Sequence, residues 1–233
     1  MIFDGFDTMK LRKACEDLKI FLDRGFKKSS VVKFIASYYG LPKEAVSILN
    51  RCIHPTWLSS TIAEKILDPS EVKGRSLGID GFNNLITIES IISGHPVILC
   101  DDSLIRDIRE RHSYRFSDKT EYTVQMLLKQ VSALHPSYFE IVLDAQISKS
   151  GELSKFINSL IEEMGLADTG CTLTTKRTDR YLISKGYDVV ASSDVDVVSK
   201  VNHIIDIPAM VLKDLKREFL KIDLGKAMMF ILR

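Results

Sequence analysis

A chain of 233 residues with 45% hydrophobic side chains is apolar enough to bury a core, as one large domain or a small one joined to a medium one. Its net charge of +1 excludes a protein that is basic or acidic throughout. No apolar run approaches the roughly 20 residues needed to span a bilayer, and the start, Met-Ile-Phe-Asp-Gly-Phe-Asp, lacks a signal-peptide core, so the expectation is a soluble cytoplasmic protein with no membrane partner.

The charge is uneven. From Lys10 to Arg51 there are ten Lys/Arg against four Asp/Glu, an excess that fits either a nucleic-acid backbone or a solvated basic helix face. Cys15, Cys52, Cys100 and Cys171 are scattered with no Cys-x-x-Cys pair, and read as buried, reduced thiols.

The first seventy residues read as helical. Leu11, Ala14, Leu18, Phe21 and Leu22 keep a helical apolar spacing that Gly25 ends. Ser29 or Ser30 caps a second helix, Gly40 stops it, and Pro42 opens a third. These two helices look like a helix-turn-helix whose second member, Lys43 to Arg51, would enter a major groove. Lys43, Glu44, Ser47, Asn50 and Arg51 are a thin set for reading bases, so a helical hairpin packed on the main domain is the preferred reading. Lys27, Lys28 and Lys33 can meet phosphates there. Residues 67–76 look like a connector, which sets the expected domains at 1–70 and 74–233.

Beyond the connector, strands are expected near 76–80, 96–100, 138–143, 170–174, 187–191 and 202–206. Helices are expected near 85–93, 102–110, 120–134, 151–164, 177–185 and 208–220. Such alternation implies a mostly parallel sheet covered on both faces, with the strand C-termini along one edge.

Aspartates recur at that edge: Asp80, the Asp101–Asp102 pair, Asp144, and Asp194 with Asp196 two residues later. Each alone reads as a helix cap, and Asp101, Asp102 and Asp194 do precede helix-like segments. Asp80 is followed by Gly and Asn instead of a helix, and Asp144 by a loop. Repetition at strand ends points to a divalent-metal site with Asp80, Asp144 and Asp194 as ligands. Asp179, at a helix start, reads as a charge at the helix N-terminus or equally as a ligand or a group orienting water. Ser148, Lys149 and Ser150 ahead of a helix near Glu152, and Lys176 and Arg177 just before Asp179, suit phosphate. No P-loop, zinc-hydrolase, Gly-x-Ser-x-Gly or Gly-x-Gly-x-x-Gly pattern is present, and His112 and His135 read as ordinary polar positions near helix ends.

Ile-Asp-Gly-Phe-Asn-Asn-Leu-Ile-Thr, residues 79–87, resembles the opening of the NYN and related PIN-like nucleases. Val-Leu-Asp-Ala resembles their middle strand. Thr-Asp-Arg-Tyr-Leu followed by Asp-Val-Val-Ala-Ser-Ser-Asp resembles their final pair of acids. Over nearly its whole length the chain is also similar to a largely archaeal family that pairs domains of unknown function 434 and 5616. That likeness runs through Arg24-Gly25, Ile79-Asp80-Gly81, Asp101-Asp102, Arg106-Asp107 and Ser148-x-Ser150-Gly151.

The resemblance implies a PIN-like three-layer α/β/α fold with a central mostly parallel sheet, preceded by the helical module. It implies Mg²⁺ or Mn²⁺ at Asp80, Asp144, Asp179 and Asp194, with Asn83 orienting a carboxylate or phosphate. The chain departs from the nucleases at Arg180, where a second acid is often seen, and Glu121 is the candidate for their mid-chain Glu. The expected function is a metal-dependent nuclease acting on RNA in preference to DNA. The alternative is a nucleic-acid-binding or assembly module on a PIN-like fold that has lost efficient catalysis.

Overall fold

The computed structural model describes residues 7–108, 116–216, 219–221 and 230–232. Four helices come first: α1 (Thr8–Asp23), α2 (Lys28–Tyr39), α3 (Lys43–Cys52) and α4 (Thr56–Ala63). Then follow β1 (Ser76–Asp80), α5 (Gly81–Ile92), β2 (Val97–Leu99), β3 (Ile105–Asp107), α6 (Thr120–Leu134), β4 (Tyr138–Asp144) and α7 (Ser150–Glu163). The remainder is β5 (Gly170–Thr175), α8 (Thr178–Ser184), β6 (Val189–Ala191), α9 (Val195–Val198), α10 (Ile207–Asp214), β7 (Phe219–Lys221) and β8 (Phe230–Leu232). The chain folds into two compact units. One is drawn from Met1–Glu64, Gly94–His112 and Arg217–Arg233, the other from Lys65–Ser93 and Ser113–Lys216.

In the first unit, local signals set the helix ends. Asp7 opens α1 by accepting the Met9 and Lys10 N–H groups at 3.1 Å each. Gly40 closes α2 in the left-handed conformation, φ 59°, a geometry that glycine adopts without a Cβ penalty. The apolar stripes of α1, α2 and α3, including Leu11, Leu18, Val32, Ile35, Ile48 and Leu49, meet in one core that also takes in Ile98 and Cys100. The second sheet of the molecule lies in this unit, in the order β3-β2-β7-β8, with β2 antiparallel to β3 and parallel to β7.

This sheet departs from the sequence reading. The strand expected at 96–100 belongs here and not to the parallel sheet, and no helix forms over 102–108. A three-residue run, Val97-Ile98-Leu99, carries no mark of which sheet it will join. Ser103, at φ 67°, lies in the turn that leads from β2 to β3, and Cys100 N–H donates to Leu104 O at 3.0 Å. Residues 109 and 110 of the expected helix, and His112, lie outside the described residues.

The second unit is a mixed α/β body on a sheet ordered β5-β4-β1-β6, all parallel. The inner strand β4 and the short β6 bury near-continuous apolar runs, as parallel strands do, whereas the edge strand β5 is Thr-rich and only partly buried. Phe139, Ile141, Val142 and Leu143 of β4 are each almost fully buried, and each contributes about 1.5–3 kcal/mol. Helix α5 packs on β1, β4, α6 and α10; α7 packs on β4 and β5; α8 packs on β1, β4, β5 and α9. The strand expected over 202–206 reduces to isolated bridges of Ile204 with Ile66 and Val190. The helix expected over 208–220 stops at Asp214, with Lys216 at φ 48° beyond it. From β1 the chain steps to β4 and on to β5, then crosses to the other side of β1 for β6. That reversal makes the C-terminal ends of β1 and β6 a topological switch point, where open α/β sheets collect ligands.

Candidate functional site

Asp80 ends β1 at this switch point and also caps α5, which begins at Gly81; the expectation that no helix follows it directly is corrected. Gly81 is required there, because a Cβ would sit 2.5 Å from the Leu143 side chain and 3.1 Å from the Val142 carbonyl of β4. The helix can therefore start hard against the sheet and hold Asp80 below the surface, only 9% exposed. Asn83 N–H donates to Asp80 Oδ1 at 3.3 Å and the Ser192 hydroxyl donates to Oδ2 at 3.0 Å. The same Ser192 oxygen accepts Asp194 N–H at 3.1 Å, so one hydroxyl ties the two acidic positions together. Burial pushes the Asp80 carboxyl up to about 7, opposed by the Asn83 and Ser192 bonds and reinforced by the negative charges of Asp194 and Asp179.

The other proposed ligands lie along the same edge. Asp194 is half-buried and caps α9, accepting Asp196 N–H at 3.0 Å. Asp179 is exposed in the first turn of α8. Asp144 ends β4 two residues beyond Val142, the partner of Asp80, and its Oδ1 accepts Gln146 N–H at 2.8 Å. Asn83 is a positioning group: its Oδ1 accepts the Ser193 N–H at 2.9 Å and the Ser193 hydroxyl at 3.0 Å, fastening the start of α5 to the turn after β6. Asn84, outside the expected set of site residues, donates to the carbonyls of Asp80 and Ala191 at 2.8 and 2.9 Å and braces β1 against β6.

The phosphate candidates separate by exposure. Ser148, Lys149, Lys176 and Arg177 are exposed, whereas Ser150 is buried as the first residue of α7. Lys149, at φ 65°, turns the chain into α7, and Gln146 Nε2 donates to Lys176 O at 3.0 Å, joining the two basic turns. Glu121 is exposed in the first turn of α6 and bonds Gln125 Nε2 at 3.2 Å, a helix-surface role.

A second acidic group, in the first unit, was read from sequence as helix caps, and that reading is corrected. Asp101 Oδ1 lies 2.7 Å from His54 Nδ1, and its Oδ2 accepts the His54 backbone N–H and Lys19 Nζ, both at 2.8 Å. Asp102, fully buried, takes the Arg106 guanidinium in a two-pronged pair at 2.7 and 2.6 Å. Hydrogen bonds from His54 and Lys19 hold Asp101 below the usual carboxylate range despite its burial, while burial holds His54 below the ordinary histidine value. Among the described residues, His54, Asp101 and Asp102 are the group of three whose potential ligand atoms lie within 4.8 Å of one another. Their carboxylates are already neutralised by Lys19 and Arg106, which makes the cluster a charged keystone of its unit. The signal available in the sequence was Asp102 and Arg106 four residues apart, but an i,i+4 pair reads first as a helix surface. All four cysteines are free; Cys15, Cys52 and Cys100 are buried and Cys171 is half-buried, and burial pushes the Cys15 and Cys100 thiols up.

Fold and site together define an α/β protein with a buried carboxylate at a parallel-sheet switch point. Residues 69–210 match the model of the domain of unknown function DUF5616, and residues 10–65 match that of the protein of unknown function DUF434. The uncharacterized protein MJ0935 of Methanocaldococcus jannaschii is 32% identical over 213 residues, covering 90% of this chain and 100% of that one. The chain belongs to this family that combines the two domains. No solved structure matches it. Among the described residues no helix is long and apolar enough to cross a membrane.

Proposed function

We propose that the protein is a metal-dependent nuclease, with RNA favoured over DNA, built on a PIN-like three-layer α/β/α arrangement. The observation that carries the reading is Asp80: a carboxyl buried at the switch point, pushed up to about 7, with the charges of Asp194 and Asp179 acting on it. A carboxylate set of this kind is stabilised by a cation between its members, and the all-oxygen donors fit Mg²⁺ or Mn²⁺. When bound, such an ion supplies a Lewis acid and an activated water for phosphodiester hydrolysis.

The chain's own part begins with holding Asp80 in place through Ser192 and the Asn83 N–H, shielded from bulk water. Asp194 and Asp179, in the neighbouring turns, and Asp144, at the end of β4, would join Asp80 in holding the ion. Lys149, Lys176 and Arg177 stand exposed in the turns after β4 and β5, where they suit the phosphates of a strand.

One observation favours the second reading, a binding or assembly module with weak catalysis. Among the described residues the acids of this edge do not form a triad of potential ligand atoms within 4.8 Å. The deciding experiment is cleavage of labelled single-stranded and structured RNA with Mn²⁺, and of a matched DNA panel, by wild type and Asp80→Asn. Cleavage that Asp80→Asn loses supports the nuclease. A wild type that leaves every substrate intact removes catalysis and leaves the binding module.

A further inference from the structure

Among the described residues, four large rings of the first unit stand more than half exposed, Trp57 at 68% on α4 and three that belong to one group, Phe26 at 55%, Phe34 at 59% and Tyr38 at 73%. These three form a continuous row. Phe21, partly buried against the core, meets Phe26 edge-on at 5.4 Å and Phe34 edge-on at 6.5 Å, and Phe34 stacks with Tyr38 at 6.2 Å and 23°. Phe34 and Tyr38 sit one helical turn apart on α2, whose buried face is carried by Val31, Val32 and Ile35. The core is therefore already supplied, and the two outer rings add little to it. Isolated exposed rings are ordinary on protein surfaces, whereas a contiguous row is characteristic of a binding surface.

The charge along this segment is mostly positive, with one acid at the edge of the row, Asp17, which accepts the hydroxyl of Tyr39 beside Tyr38 at 2.7 Å. Residues 24–43 contain Arg24, Lys27, Lys28, Lys33 and Lys43 and no Asp or Glu. Arg24, Lys27 and Lys33 are exposed beside the rings in sequence. Aromatic faces that accept any base, set among cations that meet a phosphate backbone, form the pairing that holds unpaired strands. A duplex keeps its bases stacked on one another and offers such rings nothing.

We propose that the row Phe26, Phe34 and Tyr38, with Arg24, Lys27 and Lys33, is a stacking platform for single-stranded nucleic acid. The inference rests on the nuclease reading for the use made of a bound strand, but binding itself is separable from cleavage. It is therefore measured in EDTA, where the metal site plays no part.

The test is fluorescence anisotropy of the full-length protein with labelled 20-nucleotide single-stranded RNA, single-stranded DNA and an RNA duplex of the same length. The expected result is single-strand binding about tenfold or more tighter than duplex binding, with Phe34→Ala/Tyr38→Ala losing about tenfold on single strands alone. Phe34→Tyr/Tyr38→Phe keeps the rings and should bind as wild type does. Lys27→Gln/Lys33→Gln should weaken binding and flatten its salt dependence. Equal RNA and DNA affinity means that bases and phosphates suffice; preference for RNA adds contacts to the 2′-hydroxyl. Either supports the platform.

Duplex bound as tightly as single strands, or a double-alanine variant that binds like wild type while its thermal melt is unchanged, would overturn it. So would sedimentation showing a wild-type dimer that Phe34→Ala/Tyr38→Ala converts to monomer, because the row would then be an interface between copies. Absence of cleavage with binding intact would sink the nuclease reading and leave the platform standing.

Discussion

The two units each hold a group of aspartates near the end of a strand, and they treat those acids in opposite ways. At β2, Asp101 and Asp102 are matched by Lys19, His54 and Arg106, and Asp101 is held below the ordinary carboxylate range. At β1, Asp80 has only a hydroxyl and one backbone N–H, with further negative charge nearby, and it is pushed up to about 7. The residue type and the strand-end setting are shared, but Lys19 and Arg106 bind Asp101 and Asp102, whereas Asp80 is bonded by a hydroxyl and a backbone N–H and feels the charges of two further acids. Acids that bring their own cations are structural, and acids that lack them are suited to an ion from solution.

The strongest way to break the first half of the comparison is to remove one cation. Arg106→Met leaves Asp102 buried and unpaired, and should cost about 3–5 kcal/mol in urea unfolding, whereas Asp102→Leu/Arg106→Met should recover most of that loss. A single variant as stable as wild type would show that the pair is not the keystone.

The second half is broken at Asp80. Asp80→Asn should lower RNA cleavage on the order of a hundredfold or more, a loss that scales with removal of a central charge-stabilising group. Its effect on the apoprotein should have the opposite sign. The folded pKa is raised above its unfolded value of 3.8, so Asp80's contribution to stability is full below 3.8 and lost as pH rises through about 7. At pH 8 in EDTA, Asp80→Asn should therefore be the more stable protein, by about 1–3 kcal/mol. A destabilised Asp80→Asn apoprotein would contradict the penalty assigned to that carboxylate.

Metal should act on one group and not the other. Mn²⁺ at a hundred times its Kd should stabilise wild type and His54→Gln alike relative to their own apo forms, by about 2.7 kcal/mol, and leave Asp80→Asn unmoved. A response lost in His54→Gln would transfer the metal to the first unit. The smallest effect is the pH dependence of the keystone. Burial holds His54 below the histidine value of 6.5, so the unfolded chain takes up its proton first. Stability from this group is complete above 6.5 and falls as pH drops through the folded value, a slope that a pH series of chemical denaturation should show in wild type and lose in His54→Gln.

Much of this was legible before the fold was known, where the information was local. The spacing of Leu11, Ala14, Leu18 and Leu22, the stop at Gly40 and the start at Pro42 place α1, α2 and α3 within a few residues. The apolar runs before Asp80 and Asp144 mark β1 and β4, and parallel alternation puts their ends on one edge. The thiols at Cys15, Cys52 and Cys100 are buried as their scattered spacing suggested.

Partnership between distant segments was not legible. Val97-Ile98-Leu99 has the same apolar pattern in either sheet, and its pairing with β3 and β7 depends on residues elsewhere in the chain. Asp101 and Asp102 looked like caps because a cap needs only the next three residues, whereas Lys19 and His54 reach Asp101 from 82 and 47 positions away, and Arg106, only four residues from Asp102, pairs with it in the absence of the expected helix. Asp80 likewise acquired its raised pKa from burial, reinforced by the charges of Asp194 and Asp179 about a hundred positions away and opposed by the Ser192 hydroxyl. By itself the sequence determined α1 to α3, β1, β4 and the acids at the strand ends, since periodicity and capping act over a few residues. Tertiary structure alone decided which sheet each strand joins and which acids are neutralised, because burial and charge pairing are set by whatever the rest of the chain brings within a few ångströms.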